Sequence, residues 1–218
     1  MNTQPEVIRL SMNPQITSRQ VRRFAITGLC LAIVLLVRLH ADQPQWGDAR
    51  THNLVSDEIG LPNHFDTSDA GNLRWSIDMG NSSYATPVVV KGKVLIGGNN
   101  SAPLDDRFMG IRGTLLCLDE ENGDRIWQLT VPKLTDPKYL DWHLGGICSP
   151  PTVVEDKVYV VSNRAEVLCL DLSGLADGND GNFVEESNFM RSRSDAPVKL
   201  GPHDADILWH FSMTDQVQ

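Results

Sequence analysis

One pattern occurs twice in this chain and in part a third time, which makes it a repeat protein. It is most complete at residues 113–128, GTLLCLDEENGDRIWQ. An apolar run at 114–118 leads into a polar turn at 119–124, and a second run closes on Trp127. Asp119 is suited to bonding the backbone N–H groups of the turn, and Gly123 supplies the positive φ that a tight turn needs. Trp127 offers a broad ring for packing and one N–H that wants a carbonyl.

Upstream, residues 85–98 (ATPVVVKGKVLIGG) read as two β-rich runs around a Lys91-Gly92 turn, a hairpin signal. With the two runs of the organising pattern they make a four-stranded antiparallel meander over 86–130. Downstream, PTVVEDKVYVVS at 151–162 and AEVLCLD at 165–171 repeat the first three strands. A long Gly, Asp, Asn and Ser-rich insertion from 172 to about 206 follows, and then ILWHF restores the fourth strand, so the second unit spans 150–212. Trp75 and Trp127 are 52 residues apart, as are Cys117 and Cys169. Pro87 and Pro151 are 64 apart and Trp127 and Trp209 are 82 apart, because loops vary while strands hold. Residues 73–77 (LRWSI) read as an isolated last strand, with Trp75 in the Trp127 place. Residues 42–72 read as a lead-in segment, and the body 73–218 as all-β.

The pattern Ala-x-Asp-x-x-Thr-Gly-x-x-x-Trp marks the blades of quinoprotein-like (PQQ-repeat) β-propellers, and this chain resembles that family over about residues 73–211. Cys117, Asp119, Asn122, Gly123 and Trp127 stand in the pattern's positions, with Cys for Ala and Asn for Thr. The second copy matches through Cys169 and Asp171 and then departs, its turn glycine displaced into the insertion before Trp209. The resemblance implies blades docked one on the next through Trp75, Trp127 and Trp209, with Asp119, Asp171 and Gly123 shaping turns. A propeller closes with roughly 4–8 blades. Two complete ones therefore predict an incomplete propeller or an N-terminal piece of a longer chain, needing further blades or self-association, since open apolar faces and edges are a liability.

The resemblance leaves activity open between two classes. One is a non-catalytic scaffold that binds protein partners or a small ligand through its loops. The other is a PQQ- and Ca2+-dependent oxidoreductase acting on an alcohol or sugar, in which the quinone stacks between a Trp and a disulfide of adjacent cysteines. No two of Cys30, Cys117, Cys148 and Cys169 are adjacent, and no residue here maps onto those cofactor ligands. An outer-membrane assembly scaffold shares the repeat but usually carries a lipobox, whereas apolar residues continue past Cys30. The expectation is a scaffold or binding module with no catalytic residue assigned.

Arg19, Arg22 and Arg23 precede an uncharged 14-residue run, FAITGLCLAIVLLV at 24–37, with Ala41 at a plausible cleavage point. A spanning helix usually needs about 20 apolar residues, so this reads as a secretory leader, with retention as a membrane anchor the alternative. The product is expected in the periplasm or cell envelope. The whole chain carries −9, and residues 42–218 hold 14 basic and 27 acidic residues, so they carry −13. Such a body repels phosphate backbones, which excludes nucleic acid as a partner.

No zinc spacing appears among the cysteines. Cys117 and Cys169, equivalent in the two copies, suit either buried packing or a disulfide. Within the insertion, Asp171, Asp177, Asn179 and Asp180 offer hard oxygen ligands between glycines, as Ca2+ requires; the alternative is an ordinary solvated Asx/Gly loop. Trp142, His143 and Cys148 share the loop between the units without any Ser/His/Asp or HExxH spacing.

Overall fold

The computed structural model describes residues 42–55, 59–64, 66, 70–135, 141–142, 144–193 and 195–216. The leader at 1–41, including residues 24–37 and Cys30, lies outside them. Among the described residues, eight strands form two four-stranded antiparallel sheets, each in sequence order. The first contains β1 (Val88–Val90), β2 (Lys93–Asn99), β3 (Arg112–Asp119) and β4 (Arg125–Pro132). The second contains β5 (Thr152–Val154), β6 (Lys157–Val161), β7 (Glu166–Asp171) and β8 (Ile207–Ser212). The described residues include two short α-helices, α1 (Glu186–Met190) inside the insertion and α2 (Met213–Gln216) after β8.

The strands are where β-branched and large apolar residues alternate across a pleat, and the turns between them use the expected chemistry. Lys91 and Gly92 both take positive φ, 50° and 73°, as the tightest hairpins demand. The two sheets agree in detail. Cys117 pairs with Trp127 and Cys169 with Trp209, and in each sheet the register shifts immediately after the cysteine.

The registers divide each sheet into two faces. In the first sheet Val88, Val90, Leu95, Leu115, Cys117, Trp127 and Leu129 share one face, and all are buried. They form a single cluster with Val153, Val158, Val160, Leu168, Leu170 and Ile207 from one face of the second sheet. At about 25 cal/mol per Å2 of apolar area removed from water, this inter-sheet layer is the main source of stability. Three of the positions in the second sheet that repeat the buried face of the first are open. Trp209 is 44% exposed, Phe211 45% and Val154 54%, against 0% for Trp127.

Residues 73–77 form no strand. No ladder pairs this run with either sheet. The lead-in residues 42–44 do pair: Gln43 exchanges backbone hydrogen bonds with Val89 at 2.7 and 3.2 Å. The N–H of Val153 then donates to the Pro44 carbonyl at 2.7 Å, so this short segment touches both sheets.

The insertion covers the far edge of the first sheet. Gln128 bridges Asp204 in parallel, its N–H donating to the His203 carbonyl at 3.1 Å and its carbonyl accepting from Ala205 at 2.9 Å. The outward backbone N–H and C=O of Gln128 on the β4 edge are thereby paired. The guanidinium of Arg107 fastens the same place through two bonds to Asp204, at 2.8 and 3.0 Å, and further bonds to Asp105.

Candidate functional site

The organising motif builds a seam. The carboxylate of Asp119 accepts from the N–H groups of Glu121 and Asn122 at 2.8 and 3.1 Å, closing the turn. The N–H of Gly123, at φ 77°, donates to the Asp119 carbonyl. The Trp75 indole N–H donates to the Glu120 carbonyl at 2.9 Å. A Cβ on Gly123 would stand 2.6 Å from the Trp75 ring, so the glycine is what lets the ring lie on the turn.

The next seam repeats this arrangement. The carboxylate of Asp171 accepts from the N–H of Ser173 at 2.6 Å. The buried Trp127 indole N–H donates to the Leu172 carbonyl, again at 2.9 Å. Here the ring lies on Gly174, which has φ 62° and whose added Cβ would meet it at 2.8 Å. The turn glycine of the second copy is thus one residue earlier than in the first, not displaced far into the insertion. Sequence reading missed it because it looked for Asp followed by Gly at the fourth position, while this copy spaces them by three. Trp209 occupies the same place on β8 but is half-exposed, tilted against Tyr159 with centroids 6.2 Å apart.

Cys117, Cys148 and Cys169 are free thiols, so Cys117 and Cys169 are not bonded to each other. Burial pushes the Cys117 thiol up to about 12. A thiol so far from ionisation is a packing group and a poor nucleophile.

The acidic residues of the insertion do not converge as the Ca2+ expectation required. Asp171 is engaged in its own turn, and Asp177 is exposed at the end of a 3-10 turn. Among the described residues, no three His, Cys, Asp or Glu side chains gather closely enough to hold a metal ion. Asn179 and Asp180 are exposed, but the Asn179 side-chain amide donates to Glu186 and the Asp180 backbone N–H to Asp206, two acids that the sequence offers no reason to group with them. Burial, opposed by a hydrogen bond from Asp180 and reinforced by the charges of Glu186, Asp171 and Asp180, pushes the Asp206 carboxyl above the usual range.

On the loop side, a cleft of about 610 Å3 lies among Lys133, Arg164, Arg191 and Arg193. Lys133 is paired with Asp141 at 2.7 Å and Arg164 with Glu166 at 3.0 Å. Arg191 donates to the neutral oxygens of Asn188 and Asp195 at 3.1 and 3.0 Å. The cleft is a basic spot on an acidic body. Trp142, half-exposed, stacks at a tilt on Tyr84 with centroids 5.9 Å apart, and Cys148 is exposed nearby. His143 lies outside the described residues.

Comparison with known proteins gives a family match. The family model described as outer membrane protein assembly factor BamB matches residues 64–177. Among solved structures, the quinohemoprotein alcohol dehydrogenase ADHIIG from Pseudomonas putida HK5 is similar at 15% identity and a TM-score of 0.33. That match covers 64% of this chain and 22% of the dehydrogenase, so the chain spans under a quarter of that protein. No curated protein sequence matches. Among the described residues, no helix is long and apolar enough to cross a membrane.

Proposed function

Because the chain belongs to the PQQ-repeat β-propeller family, we propose that it serves as a non-catalytic binding scaffold exported to the cell envelope. The observation that carries this reading is how the motif residues are used. Asp119 and Asp171 bond turn amides, and Trp75 and Trp127 each bond the carbonyl of a turn they lie on. Occupied in holding the blades together, these side chains leave recognition to the loops. The basic cleft around Arg191 is the loop surface best suited to an acidic group on a protein or small-molecule partner. The description of the matched family, an assembly factor for outer membrane proteins, supports a scaffold at the envelope, and the basic and apolar leader agrees with export.

The alternative is part of a PQQ- and Ca2+-dependent dehydrogenase. The described residues do not fit a quinone: the cysteines are separate free thiols, and the rings of Trp75 and Trp127 lie on Gly123 and Gly174. The native protein, supplied with PQQ and Ca2+, should give no dye-linked oxidation of alcohols or sugars above a blank. Dye reduction that depends on both additions would overturn the scaffold reading.

The scaffold includes a further blade, or a second copy, seated on the open face of the second sheet. Trp209 there repeats the position of Trp127, and Phe211 that of Leu129. In the native protein Trp209→Ala should therefore cost about 3 kcal/mol, as truncation of a buried aromatic does. A melting curve unchanged by the substitution would mean that the face stays in water.

A further inference from the structure

Among the described residues, two carboxylates buried in the insertion have no ion-pair partner. Glu186 is 3% exposed and Asp206 0%. Each uses one oxygen: the Asn179 amide donates to Glu186 Oε2 at 3.0 Å, and the N–H of Asp180 donates to Asp206 Oδ2 at 3.0 Å. Their other oxygens, Glu186 Oε1 and Asp206 Oδ1, are buried without a hydrogen-bond partner. Among the described residues neither acid has an ion pair with Lys, Arg or His.

Leaving an ionised carboxylate in an interior is costly, and placing a second one beside it costs more. Proteins resolve that conflict by protonating the group, or with a cation, more hydrogen bonds or a metal ion. Here neighbouring residues of one loop each bond one acid, Asn179 through its side-chain amide and Asp180 through its backbone N–H. The loop passes close to β8 at Gly181, where an added Cβ would stand 2.5 Å from Leu208 Cα. Glu186 is the foremost acidic neighbour acting on Asp206, with Asp171 and Asp180 also in electrostatic reach. The two unpartnered atoms are both carboxylate oxygens. Ca2+ accepts such a set in irregular geometry, whereas Mg2+ demands a near-ideal octahedron.

We propose that Glu186 Oε1 and Asp206 Oδ1 hold a Ca2+ ion that clamps the 179–181 loop and α1 to the foot of β8. Neutral oxygens of the loop would complete the shell. This structural site is independent of the scaffold reading and of any quinone.

The test is a thermal melt and a Ca2+ titration of the chelator-stripped native protein at about pH 7.5, a pH at which ordinary carboxylates are ionised. Saturating Ca2+ should raise Tm by about 5 °C or more. The Glu186→Gln/Asp206→Asn variant should lose that rise and the binding heat, while its metal-free Tm equals or exceeds that of the unmodified protein. Failure of the unmodified protein to respond would overturn the proposal, and so would a response that survives in the double variant. Should the double variant not fold, Glu186→Gln alone should bind Ca2+ at least ten-fold more weakly, and unchanged affinity would refute the site. Asp177→Ala should keep the full response; its loss would move the ion to the exposed part of the loop and end this assignment.

Discussion

Trp127→Ala should destabilise the protein by about 4 kcal/mol, the upper part of the range for truncating a buried aromatic. The ring is wholly buried in the layer between the sheets, and its N–H is bonded to the Leu172 carbonyl. Truncation removes the largest side chain in that layer and also strands a carbonyl away from water. For a domain of this size, a loss of that magnitude lowers Tm by roughly 10 °C. Trp127→Phe separates the two contributions: it keeps much of the ring and should cost about 1–3 kcal/mol, the price of an unmet buried acceptor plus a small void. Chemical denaturation of the two variants side by side is the check. Equal and small effects would show that the seam does not depend on this ring.

Gly174→Ala adds a single methyl group, yet it should cost about 3 kcal/mol. Its φ of 62° lies where an L side chain loses roughly 1–2 kcal/mol against glycine. The new Cβ would also stand 2.7 Å from the Asp204 carbonyl oxygen and 2.8 Å from the Trp127 ring. Relieving those contacts means pushing the ring off the turn, an overpacking strain of about 1–3 kcal/mol. Gly201→Ala is the control, since nothing lies within 4 Å of the Cβ it would add and its φ is not positive. A Gly174 variant as stable as the Gly201 variant would remove Gly174 from the seam.

Much of this architecture is legible in the chain because strands and turns leave local signatures. Alternating valines around Lys91-Gly92, and the spacing of 52 shared by the tryptophans and the cysteines, fix both sheets and their matching registers. The lone LRWSI run shows the limit of that reading. Its pattern is a strand's, but a strand needs a neighbour, and only tertiary structure says whether one exists. The same limit applies to Gly174, whose role depends on a ring 47 positions earlier in the sequence. The acidic insertion misled in a different way. Asp177 and Asp180 stand close in sequence, but the buried acids are Glu186 and Asp206, brought together by the fold of a long loop that has no periodicity to read.

Arrays of repeats that touch only their immediate neighbours through side chains can fray from an end, one unit at a time. The strap formed by residues 203–205 along β4 changes that expectation. It belongs to the connection between β7 and β8 of the second sheet, yet it pairs the outward backbone groups of Gln128 in the first. Detaching the second sheet would strip backbone partners from Gln128 as well as the apolar cover from Trp127. Residues 42–44, bonded to both β1 and β5, tie the pair at its opposite margin. The two sheets are accordingly one cooperative unit, and amide exchange in β4 should report the opening of its neighbour rather than of its own sheet alone.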